Sequence, residues 1–230
     1  MLINEDALLK LNASHVAVFG LGGVGSWCAE ALARAGIGGI TLIDSDCFSV
    51  SNINRQLNAL ESTVGKAKAA VTAQRLKDIN PDIAVHPVEG LYTAENREDF
   101  LSDYDYVADC IDLVSCKLDL ISSCISRNIP IVSALGTGNK LDASKMCISD
   151  ISKTSGCALA RVMRKELRAR GILHHTVVFS PEEPVQAVQI ETPPPGRRSI
   201  PGSVVWVPAT AGLLLAQHIV LTIIQNGEAK

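Results

Sequence analysis

The 230 residues include 47% hydrophobic side chains and carry a formal charge of −3, enough apolar content to bury a sizeable core as one large domain, or as one domain with an appendage. The acidic balance excludes an overall basic nucleic-acid binder while leaving room for a local basic patch. Seven cysteines, odd in number and without a C-x-x-C pair, exclude a disulfide framework and argue against a structural zinc site; reduced thiols in a cytoplasmic protein are the simplest reading.

The stretch Met1–Asp6 lacks the charged start and apolar run of a signal peptide. Residues 4–13 follow as a short helix with Leu8, Leu9 and Leu11 on its apolar side. Residues 15–20 read as the first strand, and 23–35 as an alanine-rich helix closed by Gly36 and Gly38. Between them Gly20, Gly22 and Gly25, with Gly23 inside the turn, hold the G-x-G-x-x-G spacing of a nucleotide-binding strand–turn–helix. The first glycine permits the tight turn, the second lets backbone approach a phosphate, and the third lets helix and strand pack closely. Free N–H groups and the positive end of the helix would then face that phosphate. Taken alone, such a turn also suits any tight strand–helix junction. A second apolar strand, Ile40–Ile43, tips the balance, because it ends at Asp44, where a dinucleotide fold places the carboxylate that holds ribose hydroxyls. The repeats predict an α/β fold, a Rossmann-like, doubly wound and mostly parallel sheet.

The polar segment Ser49–Gln56 has neither a period of two nor one of 3.6, so it is expected as a loop or short helix over the strand ends. Gly65 opens a predicted helix through Lys77, with Lys66 and Lys68 in its first turn. Cations there oppose the macrodipole, so either both are solvated or something anionic sits beside them. Ile83–Val88 and Tyr106–Ile111 are the third and fourth strands. The fourth carries Asp109 as a structural carboxylate and delivers Asp112 at its C-terminal end, the place where open α/β sheets bind ligands. A helix over 113–128 and a fifth strand over 129–134 lead to the turn Gly136-Thr137-Gly138.

Beyond residue 140 the pattern changes, dividing the chain into a nucleotide-binding part, 1–140, and an antiparallel or irregular extension of the same globular unit, 141–230. Strands are expected over 146–151 and 174–179, with a helix over 156–170 between them. On that helix Arg161, Arg164, Lys165 and Arg168 share a face, which is either a solvated surface or a contact for a phosphate backbone. Arg197-Arg198 lie within the proline-rich segment 180–202, expected as a mobile loop. Val204–Ile224 is long and apolar enough for a membrane span, yet Pro208, Thr210, Gln217 and His218 interrupt it, and we expect a buried or dimer-interface helix instead.

Five motifs therefore occur in order: Gly20-x-Gly22-Gly23-Val24-Gly25, Asp44-Ser45-Asp46, Ser51-Asn52-x-Asn54-Arg55-Gln56, Val64-Gly65-x-x-Lys68 and Asp109-x-x-Asp112. Together they resemble the adenylating enzymes of the ubiquitin-activating superfamily, which include the molybdopterin- and thiamine-biosynthesis adenylyltransferases. A dehydrogenase using Asp44 on NAD would not explain the Asn-Arg-Gln segment or Lys68. Asp150–Thr154 and Leu159–Leu167 carry the likeness further, to the bacterial tRNA threonylcarbamoyladenosine dehydratase branch, whose members also lack zinc-binding cysteine pairs.

The resemblance implies a cytoplasmic enzyme that uses ATP to adenylate the carboxylate of threonylcarbamoyladenosine beside a tRNA anticodon and then closes it to a cyclic form. It implies that Gly22 and its neighbours Gly20, Gly23 and Gly25 face the phosphates and that Asp44 holds the ribose, with Asp46 and Gln56 completing the nucleotide site. Asn52, Arg55 and Lys68 would neutralise the triphosphate, and Asp112 would hold Mg²⁺, a hard cation suited to carboxylate and phosphate oxygens. Arg161, Arg164, Lys165, Arg168, Arg197 and Arg198 would contact tRNA. A homodimer is expected. Relatives place an arginine just before the first helix; here Met1 stands in that register and no arginine precedes Arg34. Either the chain starts late or the site works without that residue. Cys157 is open to two uses, a small buried hydrophobe or a thiol in sulfur transfer with a partner protein. Two rival functions follow: an adenylyltransferase for the C-terminus of a ubiquitin-like sulfur carrier, and a non-catalytic nucleotide-binding or membrane-attached scaffold.

Overall fold

The computed structural model describes residues 3–186 and 201–225. Seven strands form one sheet: β1 (His15–Phe19), β2 (Gly39–Ile43), β3 (Ala84–Val88), β4 (Tyr106–Asp109), β5 (Ile131–Ala134), β6 (Cys147–Asp150) and β7 (Thr176–Phe179). They lie in the order β3-β2-β1-β4-β5-β7-β6, all parallel except the β6–β7 pair. Six α-helices accompany them: α1 (Glu5–Ala13), α2 (Gly25–Arg34), α3 (Lys68–Ile79), α4 (Val114–Ser126), α5 (Ala158–Ala169) and α6 (Trp206–Gln225).

β1, β2, β4 and β5 are buried almost throughout and mostly apolar because both faces of the sheet are covered. Val16, Val18, Ile40, Leu42 and Ala108 point to one face, where α2, α3 and α6 supply Cys28, Leu32, Leu76 and Leu215. Ala17, Phe19, Val107 and Val177 point to the other, against Leu120 and Ile121 of α4 and Met163 and Leu167 of α5. β3, with Pro87 in it, is half-exposed at the sheet edge, where a missing N–H is tolerated. The chain runs outward from β1 to β2 and β3, then returns to lay β4 on β1's other flank. That reversal opens a crevice beyond the C-terminal ends of β1 and β4.

Several elements differ from their sequence boundaries. The helix expected from Gly65 starts at Lys68, because Gly65 is left-handed (φ +83°) and Ala67 is extended, bridging Cys47. β4 stops at Asp109, whose Oδ1 accepts the Ile111 N–H and turns the chain out of the sheet. Within Ser49–Gln56 only Val50–Asn52 is helical, as a 3₁₀ turn with a capping box from Ser49. β7 prolongs the parallel sheet and β6 adds the antiparallel edge, so the extension is regular and shares one sheet with the first half. Met1, Arg197 and Arg198, with most of the proline-rich segment, lie outside the described residues.

α6 is long and apolar enough by length and composition to cross a membrane, yet it serves here as a core helix. Val207, Ala211, Leu215 and Ile219 are fully buried. Gly212 sets the approach to α2, since a Cβ there would stand 2.4 Å from the Val24 carbonyl oxygen and 2.9 Å from the Trp27 Cβ. Gly212→Val should therefore force the two helices apart and cost about 1–3 kcal/mol, measured by urea unfolding. An unchanged midpoint would show that α6 does not depend on this contact.

Candidate functional site

The crevice is a cleft of about 830 Å³. Gly20, Gly22 and Gly23 line it with Asp44, Asp46, Asn52, Arg55, Gln56 and Lys68, and the exposed Asp112 stands at its lip. Ten of the eleven nucleotide-site residues expected from sequence thus meet in one place. Gly25 is the exception, lying beneath the turn. A Cβ on it would stand 1.8 Å from the Gly20 carbonyl oxygen, so this glycine packs α2 onto β1 and does not line the cleft.

Each side chain is held by its own surroundings. Asp44, at the end of β2, accepts the Leu21 N–H at 2.6 Å and the Asp46 N–H at 2.8 Å, tying the glycine turn to the next strand end. Lys68 opens α3, where its charge opposes the helix dipole. The anion that answers it is the chain's own: its Nζ lies 2.8 Å from Asp46 and 3.8 Å from Asp44. Lys66, by contrast, is exposed. Arg55 donates to the Ser51 carbonyl and the Asn54 side chain, and its stem passes over Gly23. Asn52 accepts the Ser49 N–H and closes the 3₁₀ turn. Gln56 is buried, and its Oε1 has no hydrogen-bond partner among the described residues.

The N–H groups of Gly22, Gly23 and Val24, which have no acceptor among the described residues, leave a polar cradle unfilled. Backbone donors at a helix N-terminus with two cations beside them suit a polyphosphate. Asp112 is exposed and makes no hydrogen bond or ion pair among the described residues. A hard oxygen donor lining the same cleft as a phosphate cradle fits a divalent cation shared with phosphate oxygens.

A further part of the cleft lining, a second lobe, was not revealed by the motifs. Gly136, Thr137, Gly138 and Lys140 after β5, Cys157 and Leu159 at the start of α5, and Pro184, Pro201 and Ser203 line it. The glycine turn at the carboxyl end of β5 was its one signal in the sequence. Asn139 joins these segments, exchanging hydrogen bonds with Gly202 and accepting from Val185. Lys140 is buried and donates to the Ser180 carbonyl, and burial lowers its pKa. The Cys157 thiol is buried and accepts the Ala160 N–H at the head of α5. Burial pushes the Cys110 thiol well above its ordinary value and Cys28 and Cys124 to about 12, so none of these three is a ready nucleophile.

The basic helix is split. Arg161, Lys165 and Arg168 are exposed, but Arg164 turns inward and donates to both the Thr154 carbonyl and hydroxyl, at 2.7 and 2.6 Å. Its position beside the buried Ala160–Met163–Leu167 stripe explains the difference. Arg164 is therefore a structural cation and is removed from the exposed basic face.

Comparison with known proteins gives a consistent picture. The ThiF family model matches residues 1–230. The tRNA threonylcarbamoyladenosine dehydratase of Bacillus subtilis is 40% identical over 239 residues, covering 99% of this chain and 94% of the relative. The crystal structure of Escherichia coli tRNA N6-threonylcarbamoyladenosine dehydratase in complex with ATP superposes with a TM-score of 0.90 at 38% identity, covering 100% of this chain and 93% of that one. The same enzyme in complex with AMP gives 0.89 at 37% identity, with the same coverage.

Gly25→Ala should wedge α2 away from β1, lower the melting temperature by about 5 °C or more and abolish binding of inorganic pyrophosphate at the turn. Thermal melting and calorimetric titration would check both effects. Wild-type pyrophosphate affinity in that variant would contradict the packing role.

Proposed function

The chain belongs to the ThiF family, and on that premise we propose that it is an ATP-dependent, tRNA-modifying cyclodehydratase. It adenylates the carboxylate of N6-threonylcarbamoyladenosine, releasing pyrophosphate, and the activated carbonyl is then attacked from within the same modified nucleoside, releasing AMP. The net change is loss of water from the nucleoside. What carries this reading is that one cleft unites the glycine turn, Arg55, Lys68 and Asp112 in a chain alignable end to end with relatives of that activity.

The residues have separable tasks. N–H groups of the glycine turn and the Gln56 amide orient the phosphates. Arg55, Asn52 and Lys68 bind and neutralise negative charge as it shifts toward the leaving pyrophosphate. Lys68 exchanges part of its bond with Asp46 for a phosphate oxygen, a short movement for a flexible ammonium. Asp44 keeps two backbone hydrogen bonds and has lone pairs left for ribose hydroxyls. Asp112 would hold Mg²⁺, which supplies charge neutralisation at the phosphates when bound. The second lobe receives the modified nucleoside beside the reacting phosphorus, and ring closure within one nucleoside needs no enzyme nucleophile.

Arg161, Lys165 and Arg168 form the tRNA contact in this reading, on the helix that opens at the second lobe. Trp206, Leu213 and Leu221, about half-exposed on the outer side of α6, support a homodimer in which a second copy covers them. Cytoplasmic residence follows from the tRNA substrate. A second reading, adenylation of a ubiquitin-like sulfur carrier, draws on Cys157 at the cleft wall and on 35% identity over 138 residues to an Escherichia coli adenylyltransferase for such a carrier.

The deciding experiment is AMP release from ATP and Mg²⁺ with tRNA that carries threonylcarbamoyladenosine, beside unmodified tRNA and a sulfur carrier. Release with the modified tRNA alone, and a nucleoside lighter by one water, is expected; release only with the carrier would install the second reading. Lys68→Ala should abolish AMP formation, and wild-type turnover in that variant would sink the assignment. Reversing the charge of Arg161, Lys165 and Arg168 together should weaken tRNA binding and reduce its salt slope by roughly 0.7–0.9 per lost phosphate contact, with ATP affinity unchanged. An unaltered slope would move the RNA elsewhere.

A further inference from the structure

Asp109 and Lys117 form an ion pair with no access to solvent, 2.8 Å from Oδ2 to Nζ, with the lysine side chain 1% exposed and the carboxylate 0%. Such a pair is costly to bury, and well-packed apolar residues of similar volume usually stabilise a fold as well or better. Its retention calls for a reason beyond stability, and the surrounding bonds supply one. Asp109 ends β4, and Lys117 lies in the first turn of α4. The lysine reaches back to the Asp109 carboxylate and toward its carbonyl at 3.4 Å. The other carboxylate oxygen, Oδ1, accepts the Ile111 N–H at 3.1 Å. One carboxylate thus clamps both ends of the short connection 110–113.

Asp112 sits in the middle of that connection, and no described residue holds its side chain. Its location is set by backbone alone, and that backbone is fixed from below by the pair. The same connection carries Cys110, whose carbonyl would stand 2.7 Å from a Cβ on Gly20, so the clamp also sets the distance between the glycine turn and the lip that bears Asp112. Among the described residues no second carboxylate competes for Lys117. The nearby His175 is held uncharged by burial and by that lysine's charge, its pKa lowered to about 4, and it bonds to Ser133.

We propose that Asp109–Lys117 is a positioning pair that fixes the Asp112 carboxylate for a cation shared with the nucleotide. The proposal rests on the nucleotide-and-metal reading given above. Its test is calorimetric titration of ATP with and without Mg²⁺, and of AMP without metal, on the full chain carrying Lys117→Met, Asp109→Asn, or both. The double variant matters most, since it leaves no unpaired buried charge, and the side-chain amide oxygen introduced by Asp109→Asn can still accept the Ile111 N–H. We expect it to melt near the wild type and to bind metal-free AMP normally. The gain in ATP affinity from Mg²⁺ should fall by about 10–100-fold, the usual effect of losing a partner that orients a metal ligand.

A purely structural pair predicts otherwise: removing both charges would restore the metal-linked gain together with the fold, and that result overturns the proposal. Equal loss for AMP and for Mg²⁺-ATP would overturn it too, by showing general damage to the cleft. If the wild type itself gains nothing from Mg²⁺, the failure lies in the nucleotide-and-metal reading, and the proposal falls with it.

Discussion

A Cβ at Gly25 would stand 1.8 Å from the Gly20 carbonyl oxygen, and one at Gly20 would stand 2.7 Å from the Cys110 carbonyl oxygen. These two approaches bring α2 down onto β1 and bring the end of β4 against the same turn. Neither distance leaves room for a side chain, and Gly20 is also left-handed at φ +87°, where other residues are strained. Because backbone meets backbone here, N–H groups at the head of α2 and the lip that bears Asp112 come to border one cleft. The α6 helix completes the arrangement from outside, with Pro208 against Gly23 and Gly212 against Val24.

Charge in the cleft follows a second constraint. Lys68 starts a helix, where its ammonium opposes the dipole, and the chain supplies Asp44 and Asp46 to hold it. Asp46 is mostly exposed while Lys68 is buried, so the cation is held within the cleft by the protein itself. An anion entering the cradle would meet a cation already in place, with the cost of ordering a long side chain met before the ligand arrives. Arg55 is prepared in the same way by Ser51 and Asn54. Preorganisation of this kind is what phosphoryl transfer asks of a protein, because positioning and electrostatics supply most of its catalysis.

The second half of the chain contributes more to the cleft than its composition suggested. β6 and β7 extend the sheet beyond β5, which carries the N-terminus of α5 to the second lobe. Arg164 illustrates how packing assigns roles within one patterned face. Three of the four basic residues on that helix stay in solvent, and the fourth is consumed by Thr154 because it lies nearest the buried stripe. A helical wheel drawn from sequence places all four together, and only the neighbouring turn separates them.

The sequence by itself determined the alternation of strands and helices, the glycine turn, and the residues from Gly20 to Asp112 that meet in one cleft. Those features are local: spacing within a strand–turn–helix and position at strand ends translate directly into geometry. The long apolar run Val204–Ile224 also pointed to α6 but could not decide its surroundings, since a core helix and a membrane helix share the same apolar composition. Tertiary structure decided that question through the contact with α2, and it decided which charges are spent inside the protein. Lys68 with Asp46, Lys117 with Asp109 beneath the Asp112 connection, Arg164 with Thr154, and the lobe joined by Asn139, Gly202 and Val185 all depend on segments that meet only when the sheet is assembled. A one-dimensional pattern records which side chains are present, whereas partner choice is fixed by distances that exist only after folding.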